Sequence, residues 1–411
     1  MPAPRAAMSQ VPRLAEAVRV FRKWLDLPDT GALEIMMGAY AGNRLPGDPV
    51  WLLLVGPSSG GKGEIINPFE NLPFTHQAAH VSEASLLSGT SKDSRSDDST
   101  GGLLKEVGEF GIFVMKDFTS IFTMNRDERA RALSALRHCY DGSWVRPVGF
   151  DGARKLKWKG KLGVLGGVTK AIDSEHEVVS KLGERFLFYR LPKIDKEGAL
   201  KQARKASATR GRESEMRLEL STAMCDFFEH IKFDVEISPL PDADRDWLAE
   251  LATLATRCRS YVARNSYNRQ IEDPGDSEGP GRMVRALTQL WSGLELIGTK
   301  HERRRELIQK VALDSMPPAR RVAFDYIASI GTGATVATIV KTSHYSQQSI
   351  RRALEDLECH EVVVRPGSKP ELWSLAEDWR KFCAGLKIKP PVKVSTGGSG
   401  GRVGASGQDD D

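Results

Sequence analysis

The most specific chemistry in this chain lies in Gly56, Pro57, Ser58, Ser59, Gly60, Gly61, Lys62 and Gly63, followed by Glu64. A glycine, four residues and then Gly-Lys is the spacing at which a turn can aim several backbone N–H groups at phosphate oxygens. The lysine ammonium then reaches the terminal phosphates. The residue after the lysine is ordinarily a Ser or Thr whose hydroxyl reaches a magnesium ion, and here it is Gly63. The bland alternative is a glycine-rich turn with an exposed lysine. Against it, an apolar run precedes the turn and a helical pattern follows, the strand–loop–helix order that phosphate binding needs.

The second half of such a site is an acid at the end of a neighbouring strand. The best candidate is Ile112–Met115 leading into Lys116-Asp117. Aligned strictly, Lys116 takes the place of a magnesium-binding Asp and Asp117 that of a Glu that orients water. Slipped by one, Asp117 holds the magnesium and no Glu follows. Both alignments stay open. Magnesium commonly keeps several waters, so Glu64 or Asp117 is a candidate to hold it through one. Nucleotide binding is expected on this loop, with hydrolysis in question at Gly63 and Lys116.

These residues require a sheet to carry them. Apolar runs at 51–55, 111–115, 162–166 and 186–191 alternate with helical patterns. That predicts an α/β fold with a mostly parallel sheet covered by helices on both faces. A first amphipathic helix is expected from Pro12 to Leu27, and a second, capped by Asp29 or Thr30, ends near Gly42 and Pro46. The expected organisation is an N-terminal arm and helix at 1–29, a nucleotide-binding core at 30–195 and a helical lid or linker at 196–312. A winged helix-turn-helix at 313–385 and a disordered tail at 386–411, rich in Pro, Gly and Ser, complete it. The polar stretch Lys92–Gly102 reads as a loop.

Composition bounds the partners. At 411 residues the chain has room for two or three cores. Its net charge of +5 permits a nucleic-acid partner without demanding one. Five scattered cysteines, with no C-x-x-C pair, argue against a disulfide framework and for a reducing cytoplasm. His76 and His80 sit four apart without a third ligand nearby, so a metal site there is not expected. No segment reads as a signal peptide or a membrane span, so no membrane association is expected.

With the loop, "FVMKDF" and the phrases "LSALRHCYDGSWVRPVG", "LGVLGGVTKAID" and "LGERFLFYRLP" in this order, the chain resembles the AAA+ P-loop ATPases. The resemblance is to the helicase-like ATPases of phages and mobile elements, and more distantly to the minichromosome maintenance helicases. It covers roughly residues 30–300. It implies ATP and Mg2+ as cofactors, with Asp117 the metal ligand. It also implies Thr169 as a sensor of the γ-phosphate or attacking water, and Arg185 as a finger reaching the neighbouring subunit's ATP in a homo-oligomeric ring. "SEGPGRMVRALTQL" is similar to the lid pattern, implying Arg282 as a second sensor. Each assignment places a donor or cation where phosphoryl transfer accumulates charge. The plainer readings are a strand end at Thr169, an ion pair at Arg185 and a helix cap at Arg282.

Two segments offer DNA contacts. Lys155, Lys157, Lys159 and Lys161 recur at every second residue, so in a strand they share one face, opposite Leu156 and Trp158. Directly before the sensor strand, this resembles the hairpin that related helicases project into a pore. Such a row follows a phosphate backbone without reading bases; the alternative is a solvated edge that blocks strand pairing. In "SHYSQQSIRRALEDLE" the buried stripe Ile350, Leu354 and Leu357 leaves Ser346, Gln347, Gln348, Arg351 and Arg352 for phosphates and base edges, with Arg365, Gly367 and Lys369 at a wing tip. The leading expectation is an ATP-dependent DNA helicase or helicase-like replication ATPase. The rival is an ATP-gated DNA-binding initiator or loader with weak or no hydrolysis.

Overall fold

The computed structural model describes residues 14–87, 102–148, 154–174, 185–265, 267–367 and 369–391. The expected N-terminal arm, most of the Lys92–Gly102 loop and the tail from 392 lie outside the described residues.

The four apolar runs, joined by a short polar strand at Thr75–Gln77 that the sequence did not announce, form one parallel sheet. Its strands are β1 (Trp51–Val55), β2 (Thr75–Gln77), β3 (Phe110–Met115), β6 (Lys161–Val168) and β7 (Phe186–Arg190), in the order β2-β3-β6-β1-β7. β4 (Ser143–Val148) and β5 (Arg154–Lys159) pair separately as an antiparallel hairpin. Every residue of β1 is buried, as a strand covered on both faces requires. Alternate side chains enter two cores. Leu52, Leu54, Val114 and Leu187 face the core shared with the helical segments that follow the sheet. Trp51, Leu53, Phe113 and Val164 face the other core, with the helix Arg126–Tyr140 and the hairpin.

The helix Leu14–Trp24 begins the described chain, and the next, Gly31–Arg44, is buried along nearly its whole length. Asp29 accepts from the Gly31 N–H at 3.1 Å, while the Thr30 hydroxyl donates to Glu34 at 2.6 Å. The end of Gly31–Arg44 fixes the entry to β1. Asn43, fully buried, accepts from the Val50 N–H at 2.8 Å and donates to the Val50 carbonyl at 2.9 Å. Its amide lies where a Cβ on Gly163 would stand, 2.6 Å away, so the pin requires glycine on β6.

The helix Gly31–Arg44 crosses the helix Gly281–Leu296 at very short range. A Cβ on Gly293 would sit 2.0 Å from the Gly38 carbonyl oxygen and 2.5 Å from the Gly42 nitrogen. Helices Lys196–Ala208, Glu213–Glu229, Asp242–Arg259 and His301–Asp314 fill the predicted helical segment, interrupted by a small ribbon at Ala263–Arg264 and Ile271–Asp273. Beyond it, helices Pro318–Ile330, Val336–Lys341 and Gln347–Cys359 precede an antiparallel pair, Val363–Val364 with Ser374–Leu375. Arg320 ties this unit inward, donating to Asp356 at 3.0 Å and to the Ser260 carbonyl at 2.6 Å. Among the described residues, no helix is long and apolar enough to cross a membrane.

Candidate functional site

β1, β3 and β6 run parallel, so the residues that follow Val55, Met115 and Val168 meet at the carboxyl edge of the sheet. That edge is where open α/β sheets bind ligands. Ser58–Gly63, Lys116, Asp117 and Thr169 line a cleft of about 200 Å³ there. The loop reaches it through two left-handed residues, Ser59 (φ 57°) and Gly61 (φ 81°). Gly61 takes this conformation without strain because it has no Cβ. The helix that follows is short, Lys62–Ile66, and tightens to a 3₁₀ turn at Asn67–Asn71, where Pro68 lacks an N–H.

Lys62 is 8% exposed, and its ammonium donates to the carbonyls of Gly56 at 2.9 Å and Pro57 at 2.6 Å. Burial lowers its pKa, and the charge of Asp117 partly offsets this. A phosphate oxygen would compensate that ammonium better than two neutral carbonyls. Asp117 caps its own turn, accepting from the Thr119 N–H at 2.9 Å. Thr169 stands beside it, its N–H donating to the Thr119 hydroxyl at 3.2 Å. Thus Lys62, Asp117 and Thr169, far apart in sequence, share one cleft.

The flank of the cleft holds partners that the sequence did not reveal. Lys116 pairs with Glu70 at 2.9 Å, and Arg217 pairs with Glu64 at 3.1 Å. No local pattern marks Glu70 or Arg217; both arrive through tertiary packing. The other side of the loop borders a cavity of about 660 Å³ between Leu25–Asp29, Gly60, Gly61, Leu191, Ile194 and Met216. Its apolar walls and charged rim suit a flat heterocycle attached to a phosphate chain.

The resemblance implies magnesium at Asp117, but the donor set does not fit a resident ion. Gly63 carries no hydroxyl, Lys116 brings a positive charge, and among the described residues Asp117 is the only carboxylate lining the cleft. Among the described residues, no cluster of three or more His, Cys, Asp or Glu could hold a metal. Magnesium is usually held by one or two carboxylates with waters and substrate phosphates, and here the one candidate carboxylate already accepts from Thr119 beside a lysine ammonium.

Arg185 and Arg282 lie away from the cleft. Arg185 precedes β7 at the amino edge, separated from the loop by the length of β1, roughly 16 Å at about 3.3 Å per residue. It is 8% exposed, holds Asp141 with two contacts of 2.9 Å and lies over the Tyr140 ring at 5.3 Å. Arg282 donates to Glu278 at 3.3 Å. Burial and the nearby Asp48 raise the Tyr140 pKa to about 12, while Arg282, Arg185 and Arg285 act against the shift. Arg185 therefore packs on Tyr140 at the amino edge, where the charges of Arg282 and Arg285 are also felt, away from Lys62 of their own chain.

The lysine row holds for three of its four members. Lys155, Lys157 and Lys159 are exposed on β5 while Leu156 and Trp158 are buried. The chain turns at Gly160, and Lys161 enters the sheet as the first residue of β6. Its ammonium donates to the Leu45 carbonyl at 2.6 Å, and burial lowers its pKa to about 8 against the raising effect of Asp48. The residue is structural because the period-2 pattern crosses a turn that resets it. Val145, paired with Lys157, shares the outward face and is 53% exposed.

On the helix Gln347–Cys359, Gln347 and Gln348 are exposed, whereas the Ser346 hydroxyl caps the helix by accepting from Ser349 at 3.1 Å. Arg351 is engaged by Glu371 at 2.8 Å, as is Arg365 at 2.9 Å, and Arg352 is half-buried. Lys369 precedes a cis proline, Pro370. Comparison of the chain with protein-family models and with curated proteins gives no match.

Proposed function

We propose that this chain is an AAA+-like ATPase acting on DNA, a helicase or helicase-like replication ATPase with a C-terminal winged helix-turn-helix. The observation that carries the reading is the meeting of Lys62, Asp117 and Thr169 at the carboxyl edge, around a glycine loop bordered by an apolar cavity. In this reading the triphosphate lies along Ser58–Gly63 and the base enters the cavity beside Leu25–Asp29. Lys62 exchanges its carbonyl partners for phosphate oxygens, Thr169 donates to the terminal phosphate and Asp117 orients a water.

Arg185 and Arg282 lie away from their own cleft, so in this reading they serve a neighbouring subunit in a ring, Arg185 leaving Asp141 to do so. The row Lys155, Lys157 and Lys159 supports a backbone-tracking contact with single-stranded DNA, and Gln347 and Gln348 a second contact with duplex. The test is ATP turnover with and without single-stranded DNA, beside Lys62→Ala, Arg185→Ala and an equimolar mixture of the two variants. DNA-stimulated turnover, lost in each variant and partly recovered in the mixture, is expected. ATP binding without turnover would sink the motor.

That outcome would favour the second reading, an ATP-gated DNA-binding initiator or loader. A specific observation supports it: Asp117, among the described residues the only carboxylate of the cleft, already caps the Thr119 turn.

A further inference from the structure

Lys116 lines two adjoining spaces. One is the phosphate cleft; the other is a polar cleft of about 400 Å³ on its flank, where the ammonium meets Glu70. The lysine side chain is 52% exposed and Glu70 10%. The backbone of Lys116 is fixed at the end of β3, so rotation of an accessible side chain is enough to carry its charge between the two spaces.

The departures from a magnesium-dependent loop act in one direction. Gly63 removes a hydroxyl ligand, Lys116 occupies an acid position in one alignment, and the replacement adds a cation where a divalent ion would otherwise stand. A nearby ammonium repels such an ion and attracts the phosphates that the ion would have neutralised. Glu70 has a part in the same arrangement. It holds Lys116 aside and limits the repulsion between Lys116 and Lys62 until an anion arrives.

Resting on the ATP-binding reading above, we infer that the site binds a nucleoside triphosphate without requiring a divalent cation. Lys116 leaves Glu70 and joins Lys62 at the terminal phosphates. One ion pair is exchanged for another, so the ammonium is never left uncompensated.

The test is binding of a ribose-labelled fluorescent ATP analogue to the full chain, measured by anisotropy in EDTA and in excess Mg2+. The wild-type affinities are expected to agree within about threefold, since no magnesium contact is lost. Lys116→Ala should weaken binding in EDTA by about ten- to a hundredfold, the size of a charge-assisted hydrogen bond. Glu70→Gln, which releases Lys116 without removing it, should bind in EDTA at least as tightly as wild type. Wild-type binding that is tight in Mg2+ but more than about tenfold weaker in EDTA would overturn the inference and leave the ATP-binding reading standing. So would Lys116→Ala binding in EDTA as tightly as wild type. Failure to bind under both conditions would remove the ATP-binding reading and this inference with it.

Discussion

Replacing Lys155, Lys157 and Lys159 together with Gln is the sharpest probe of the hairpin. The three side chains are exposed on one face of β5, and their strand stays anchored from behind by Leu156 and Trp158. Removing exposed charges at such positions should change stability by no more than about 0.5 kcal/mol. Each lysine that neutralises a phosphate contributes about 0.7 to the salt slope of single-strand binding, so losing the row should reduce that slope by about 2. Between 50 and 200 mM salt, a fourfold change, a slope of that size accounts for about a twentyfold change in affinity. Anisotropy of a labelled oligothymidine across this range measures both quantities. Lys161→Gln is the internal contrast, because Lys161 is turned into the sheet and should leave the slope unchanged. A triple variant with the wild-type slope would refute the hairpin contact. A Lys161 variant whose slope falls as far as a third of the triple variant's loss would refute the distinction between outward and inward lysines.

The closest helix crossing should not accept a methyl group. Gly293→Ala faces backbone atoms at 2.0 and 2.5 Å, which rotamer changes cannot relieve, so a loss of about 3 kcal/mol in urea unfolding is expected. A loss below about 1 kcal/mol would show that the crossing is loose. Lys161 has its pKa lowered from 10.5 to about 8, so between those values the unfolded chain binds more protons than the folded one. Its contribution to stability therefore rises with pH across that window, by up to about 3 kcal/mol, and is absent below it. Lys161→Met should flatten that part of the stability–pH profile, while the Leu45 carbonyl retains Gln289 at 3.3 Å; an unchanged slope would count against the buried charge. Lys62→Met should abolish ATP binding while raising the melting temperature of the ligand-free protein, because a buried ammonium held by carbonyls gives way to an apolar side chain. A lowered melting temperature would mean that the lysine serves the fold.

Four strands of the sheet were legible because they are continuous apolar runs, and a strand buried on both faces has little freedom to be anything else, whereas the polar, partly buried β2 gave no such signal. The Gly56–Gly63 loop was legible for a related reason: phosphate binding by backbone is a local property of a few adjacent residues. What the sequence hid is long-range. Glu70 reaches Lys116, Arg217 reaches Glu64 and Asp141 reaches Arg185 only once the chain has folded. Lys161 misled because a period of 2 says which residues share a face but not where the strand ends. Gly160, next to it, was the available signal for that end. The strand order was also hidden, since apolar runs of similar length do not declare their neighbours.

The buried state of Lys62 separates a phosphate site from a glycine turn of no consequence. A lysine on an idle loop would extend into water, where its charge costs nothing. Here the ammonium is drawn inward to two carbonyls of its own loop, at a cost that burial makes visible in its lowered pKa. Next to it, Gly167 of β6 lets Ile66 and the Lys116 carbonyl close in, which a Cβ would meet at 2.9 and 3.0 Å. The cations on the flank are treated differently, Lys116 and Arg217 each being given a carboxylate. The cleft therefore keeps one deeply placed ammonium that is incompletely compensated, beside another that can be released. Neutral carbonyls satisfy the first only in part, and a polyanion satisfies both. That imbalance, more than the spacing of the glycines, is the physical reason to expect a triphosphate there.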